Sequence, residues 1–156
     1  MRAVIQRVKN AHVDIIENGS VVRRSGEIGK GLLLLLAVEK GDNIADAEWI
    51  AAKATQLRIF EDGDGKMNRS LLDSGGDILL VSQFTLFGNV RKGNRPSFNR
   101  SAAPNEAIPL YETFAEILEK LTCRTVERGE FGAMMNVGLV NDGPVTIILD
   151  SRDKSL

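Results

Sequence analysis

The chain has 156 residues, 43% of them hydrophobic and 26% charged, with a formal net charge of −1. That length fits one domain able to bury roughly two thirds of its unfolded surface, and the balance excludes a disordered chain. The near-zero charge excludes a protein that coats nucleic acid generally, so any RNA contact has to come from a local patch.

In chain order, Val4 to Ile16 is β-branched and roughly alternating, Glu17-Asn18-Gly19-Ser20 is a turn signal, and Val21 to Ile28 returns as a second strand. Gly29-Lys30-Gly31 breaks into Leu32 to Val38, a continuous apolar run that predicts a strand buried on both faces. Ala47, Ile50, Ala51, Ala54 and Leu57 recur at helical spacing, with Asp42 or Asn43 as the cap. A short strand at Leu57 to Glu61 and a tight Asp62-Gly63-Asp64-Gly65 loop follow. Asp77 to Leu86 predicts another buried strand, and Gly88 to Pro104 a long loop. A second amphipathic helix carries Leu110, Phe114, Ile117, Leu118 and Leu121, with Pro109 perturbing its first turn. Arg124 to Phe131, Ala133 to Val140 and Val145 to Asp150 read as three closing strands. The expected class is α+β, a curved, barrel-like, mainly antiparallel sheet with two amphipathic helices, one domain over residues 1–156.

The apolar run at Leu32 to Val38 is too short to cross a bilayer, and the first residues show no signal-peptide apolar region. The lone Cys123 cannot form an internal disulfide, which fits a reducing, cytoplasmic setting with no membrane partner. The only histidine, His12, is expected to point outward beside Asp14, which disfavours a Ser-His-Asp triad. Cys123 reads as a small semi-buried thiol. One histidine and one cysteine cannot build a zinc site, the Asp62–Asp64 loop lacks the ligands of an EF-hand, and Gly29-Lys30-Gly31 falls short of a phosphate loop. No metal or other cofactor is expected. An enzyme built this way works by positioning and backbone dipoles.

Four segments place polar groups where packing alone would not. Ser82-Gln83-Phe84-Thr85-Leu86 ends a buried strand, where its hydroxyls and amide either satisfy local backbone or face a site. Phe131-Gly132-Ala133-Met134-Met135-Asn136 is a core strand with a bulge glycine or a pocket wall. Asn141-Asp142-Gly143-Pro144-Val145-Thr146 reads as a tight turn. Between Ile78 and Asn105 there is no Asp or Glu, while Arg91, Lys92, Arg95 and Arg100 fall there beside Phe98, a composition suited to phosphate contact or to a solvated loop.

Taken together, these segments resemble the D-aminoacyl-tRNA deacylase family nearly end to end. The resemblance rests on Gln6-Arg7-Val8, Lys53 with Leu57-Arg58-Ile59-Phe60, Gly65-Lys66-Met67-Asn68, Ser82-Gln83-Phe84-Thr85-Leu86, Gly93-Asn94-Arg95-Pro96-Ser97-Phe98, Phe131-Gly132-Ala133 and Asn141-Asp142-Gly143-Pro144-Val145-Thr146. Met134 departs from the pattern, which has an acidic residue there. The resemblance implies a homodimer with sites at its interface and a cis Gly143-Pro144 bond that reaches into the partner's pocket, braced by Arg7. It implies hydrolysis of D-aminoacyl-tRNA and glycyl-tRNA with L-aminoacyl esters rejected, assisted by the RNA 2′-hydroxyl, with no DNA partner. Backbone N–H groups of Phe84 and Thr85 are then the expected oxyanion hole. Ser82, Gln83 and Thr85 hold the site, Phe131 and Met135 line the adenosine pocket, and Arg91, Lys92 and Arg95 meet the tRNA. Two alternatives stand beside this: Thr85 as a covalent nucleophile, or a non-catalytic RNA-binding dimer.

Overall fold

The computed structural model describes residues 1–155. Its organising element is the long strand β1 (Arg2–Glu17), which alternates buried and half-exposed residues and is interrupted by exposed Lys9 and Asn10. The first half of β1 pairs antiparallel with β3 (Gly31–Ala37), and its second half with β2 (Ser20–Ile28). On the opposite edge, β8 (Met135–Asp150) follows both halves, with register shifts near Val8. The β6 strand (Asp77–Ser82) joins β3 in parallel, and the short β7 (Glu127–Arg128) joins β6 in parallel.

The sheet is mainly antiparallel, as expected, along β1, with a parallel wing of β3, β6 and β7. A parallel pair requires a crossover. Here the crossover is α1 (Ile44–Gln56), the small β4–β5 hairpin (Phe60–Glu61 and Met67–Arg69) and α2 (Leu71–Ser74). β2 comes back onto β7: a Cβ added at Gly26 would lie 2.9 Å from the Arg128 carbonyl oxygen, so the barrel nearly closes there.

The leucine run of β3 serves both faces. Leu32, Leu34 and Leu36 pack under α1 and α3 (Pro104–Thr122), while Leu33 and Leu35 face the barrel side with Leu79 and Val81. Asn43, not Asp42, caps α1: its side chain accepts from Ala45 N–H while Asp46 accepts from Asn43 N–H. Asp42 is buried instead, paired with the Met1 ammonium at 2.7 Å and with Arg152 at 3.0 Å. α1 turns Ala47, Ala51 and Ala54 inward, and α3 turns Ala107 and Ala115 inward with Tyr111, Phe114 and Leu118. Small residues let the elements approach closely, so Tyr111 takes the buried position and Leu121 stays 38% exposed.

Several expectations need correction. The strand expected to run to Leu86 stops at Ser82, and among the described residues the four-residue α2 adds to the two expected amphipathic helices, α1 and α3. The strand expected at Leu57 to Glu61 keeps only Phe60–Glu61, since Leu57 closes α1. Arg124 to Phe131 contributes only Glu127–Arg128, because the rest lacks a neighbouring strand edge. Ala133 to Val140 and Val145 to Asp150 are one strand, bulged in the middle. Pro109 lies inside α3, past the first turn that Pro104 opens. Cys123 is exposed, at the left-handed C-cap of α3 with φ 54°.

Gly31 is the tightest backbone approach, since an added Cβ would lie 2.0 Å from the Asp77 carbonyl oxygen. Gly31→Ala is expected to force β3 and β6 apart and cost about 3 kcal/mol, the top of the overpacking range. The urea midpoint should fall at constant m-value; an unmoved midpoint would contradict this contact.

Candidate active site

β6 ends because Gln83 leaves the strand conformation (φ −144°, ψ 72°) while its N–H still donates to Leu36 O at 2.7 Å. The next four residues, Phe84–Phe87, wind into a 3-10 turn. Its later N–H groups are used, Leu86 donating to Gln83 O at 3.1 Å and Gly88 to Thr85 O at 2.9 Å. The first N–H groups of a helical turn have no partner within it. Those of Phe84 and Thr85 find no acceptor among the described residues.

The turn is held from outside by groups the sequence did not single out. Ser101 Oγ donates to Phe84 O at 3.0 Å, and Arg2 Nη1 donates to Leu86 O at 2.9 Å. Phe87 is 2% exposed and has two guanidinium groups near its ring, Arg2 at 5.0 Å and Arg100 at 5.3 Å from its centroid. Arg2 also donates twice to Asp150, and Arg100 to buried Glu39 at 2.6 Å. Burial pushes the Asp150 carboxyl up, but the Arg2 hydrogen bonds and the Arg152 backbone outweigh it and hold it below the usual carboxylate range. These partners come from the first strand, the loop before α3 and the last strand, so no local spacing announces them.

Beside the turn opens a cavity of about 640 Å³, lined by Leu36, Val38, Ser82, Gln83, Phe84, Tyr111, Phe131 and Met135 among others. The structure thus brings Ser82, Gln83, Phe84, Phe131 and Met135 to one space. Thr85 stands just outside it, exposed, its hydroxyl accepting a hydrogen bond from the Gln83 side-chain amide. Among the described residues, no carboxylate or imidazole bonds Thr85. Tyr111 meets Phe131 edge-on at 5.8 Å and donates to Leu80 O at 3.1 Å. Burial raises the Tyr111 phenol well above its ordinary value, so it stays a neutral donor. His12 lies far along β1, half-exposed, 3.7 Å from Asp14 and across from Gly138. Met134 is 72% exposed at the rim.

Arg7, Gly143 and Pro144 form a separate feature. Gln6 pairs with Thr146 and Val8 with Asn141, so Arg7 alone on β1 faces the four residues 142–145 of β8. The surplus bulges outward and leaves Gly143 and Pro144 exposed, with the peptide between them cis and Gly143 at φ 127°. Asn141 ties the bulge off, accepting from Val145 N–H at 3.0 Å and donating to Thr146 Oγ1 at 3.1 Å. Arg7 is 4% exposed and donates to Asp142 O at 3.0 Å and to Ile59 O. Arg7 is level with Leu32, whereas the cavity begins at Leu36, four strand residues away or roughly 13 Å. Neither Gly143 nor Pro144 lines the cavity of its own chain.

Arg91, Lys92 and Arg95 surround a shallow basin with Asn89 and Ser97. Arg100 turns away from it toward Glu39.

A family model described as D-Tyr-tRNA(Tyr) deacylase matches residues 4–150. A D-aminoacyl-tRNA deacylase of Thermosipho melanesiensis is 56% identical over 97% of this chain and 98% of its own length. One of Thermomicrobium roseum is 58% identical over 98% of this chain and 96% of its own. Among solved structures, the c-Myc DNA unwinding element binding protein superposes with a TM-score of 0.86 at 39% identity, covering 96% of this chain and 98% of that one. A probable eukaryotic D-amino acid tRNA deacylase shares the fold, with a TM-score of 0.78 at 19% identity over 95% and 97% of the two chains. On this evidence the chain belongs to the D-Tyr-tRNA(Tyr) deacylase family.

Proposed function

We propose that this protein hydrolyses the ester bond of D-aminoacyl-tRNA in the cytoplasm, accepts glycyl-tRNA, and spares L-aminoacyl-tRNA. The observation that carries the reading is the pair of N–H groups on Phe84 and Thr85 that are free among the described residues, beside a largely apolar cavity whose described lining holds no side-chain base. Such a pair stabilises the oxyanion of a tetrahedral intermediate at fixed geometry, with no reorganisation during reaction. The terminal adenosine enters between Phe131 and Met135, and water attacks with the neighbouring ribose 2′-hydroxyl assisting.

The chiral filter is Gly143-Pro144, reaching the cavity of a second copy. Its exposure and its distance from the cavity of its own chain favour this over action in cis. A homodimer is further supported by an open apolar row: Leu35, Val4 and Ile148 lie abreast across three strands, with Leu35 and Val4 half-exposed and Ile148 48% exposed. Two rigid carbonyls then occupy the direction of an L side chain, while a D side chain points away and glycine has nothing to clash. Thr85 as a nucleophile is disfavoured because, among the described residues, its hydroxyl is bonded only by the Gln83 amide, which cannot take its proton.

The test is release of labelled amino acid from D-aminoacyl-tRNA in the presence of chelator. A deacylase liberates it with turnover, whereas a non-catalytic RNA-binding dimer protects the ester. The basin adds a second expectation. Arg91→Glu, Lys92→Glu and Arg95→Glu together should weaken tRNA binding and reduce the slope of log K against log salt by about 2, since each phosphate contact contributes roughly 0.7–0.9. An unchanged slope would show that this loop does not meet phosphate.

A further inference from the structure

The segment after the 3-10 turn leaves it and returns to it. Asn89 and Ser97 exchange backbone hydrogen bonds at 2.8 and 3.0 Å. The next residue, Phe98, meets Phe84 edge-on with ring centroids 5.1 Å apart at 73°. A Cβ added at Gly88 would lie 3.2 Å from Phe98 Cε1, so the ring is seated on the end of the turn. Phe84 lines the cavity and is still 56% exposed. Ser97, on the other side of Phe98, lines the basin of Arg91, Lys92 and Arg95. Cavity, aromatic pair and cationic basin are therefore contiguous, along a stretch with no carboxylate between Ile78 and Asn105.

We propose that this path is a single-strand RNA track, in which Phe98 with Phe84 stacks the unpaired bases preceding the terminal adenosine and the basin takes their phosphates. It rests on the deacylase reading, which puts that adenosine in the cavity. Every base has a π-face, so aromatic stacking tolerates any sequence, while clustered cations follow the backbone. A protein partner fits the site poorly: a loop of Arg, Lys, Asn and Gly around two aromatic rings offers charge for phosphate and little apolar area.

The test compares three substrates on the intact enzyme: D-aminoacyl-adenosine, the D-aminoacyl trinucleotide cytidylyl-cytidylyl-adenosine, and D-aminoacyl-tRNA. Phe98→Leu should lower kcat/KM on the trinucleotide and the tRNA about tenfold more than on the nucleoside ester. Phe98→Trp, which keeps an aromatic face, should retain the wild-type kcat/KM on the trinucleotide and the tRNA. Replacing both cytosines by abasic riboses should impose the same loss on the wild type and no further loss on Phe98→Leu. Equal losses on all three substrates would overturn the track and leave Phe98 a brace of the turn, as would abasic and normal trinucleotides reacting alike in the wild type. Wild-type protein that hydrolyses none of the three would instead overturn the deacylase reading itself.

Discussion

Replacing the 2′-hydroxyl of the terminal ribose by hydrogen, with the amino acid held on the 3′-oxygen, is expected to slow deacylation by about 10²–10⁴-fold, the usual worth of general acid–base assistance. Among the described residues, the polar side-chain groups that line or border the cavity are the hydroxyls of Ser82 and Thr85, the amide of Gln83 and the phenol of Tyr111. None is a base at neutral pH, and Tyr111 is committed to Leu80 O. The proton of the attacking water must therefore leave through the substrate or solvent, and the neighbouring hydroxyl is the nearest polar group of the RNA. Thr85→Ala, by contrast, removes one neutral hydrogen bond worth about 1 kcal/mol and should retain activity within about tenfold. Single-turnover rates on the two substrates and the two enzymes decide the matter. Full-speed hydrolysis of the deoxy substrate, or an acyl group trapped on Thr85, would contradict it.

The second large effect concerns chirality. Arg7→Lys is expected to raise the rate on L-aminoacyl-tRNA relative to D-aminoacyl-tRNA by at least about tenfold, equivalent to about 1.4 kcal/mol. The Arg7 guanidinium spans two carbonyls, of Ile59 and Asp142, from a nearly fully buried position, and pairs with the Asp142 carboxylate at 3.5 Å. A Cβ at Gly143 would lie 2.9 Å from Arg7 Nη2, so the same group props the bulge. A lysine ammonium is a point charge on a flexible stem and cannot hold both carbonyls, leaving one unsatisfied at about 1–3 kcal/mol. The bulge should then loosen and, as the proposed chiral filter, exclude L side chains less well. An unchanged L-to-D ratio in folded Arg7→Lys would assign the discrimination to another element.

How far the sequence reaches is clearest at these two features. The leucine run, the helical spacing of Ala47, Ile50, Ala51 and Ala54, and the opening hairpin were legible because burial writes its own periodicity. The end of β6 was not, because Phe84, Leu86 and Phe87 are as apolar as any strand residue. What stops the strand is a backbone turn held by Arg2 and Ser101, one from β1 and the other from the loop before α3. Likewise Asn141 to Pro144 looked like a turn between two strands. It is a bulge within one strand, since β1 continues past it and carries β8 along both halves. Of the residues expected at the candidate site, Ser82, Gln83, Phe84, Phe131 and Met135 line one cavity. Tyr111 was missed because the stripe drawn through Leu110, Ile117 and Leu121 lies beside the buried one, which runs through Ala107, Tyr111, Phe114, Ala115 and Leu118.

The most direct test is hydrolysis of D-, L- and glycyl-esters of one tRNA, side by side, by the intact wild-type protein. Release of D-amino acid and glycine with L-aminoacyl-tRNA left charged is the predicted result. Comparable hydrolysis of the L-ester, or no release from the D-ester, would contradict the account.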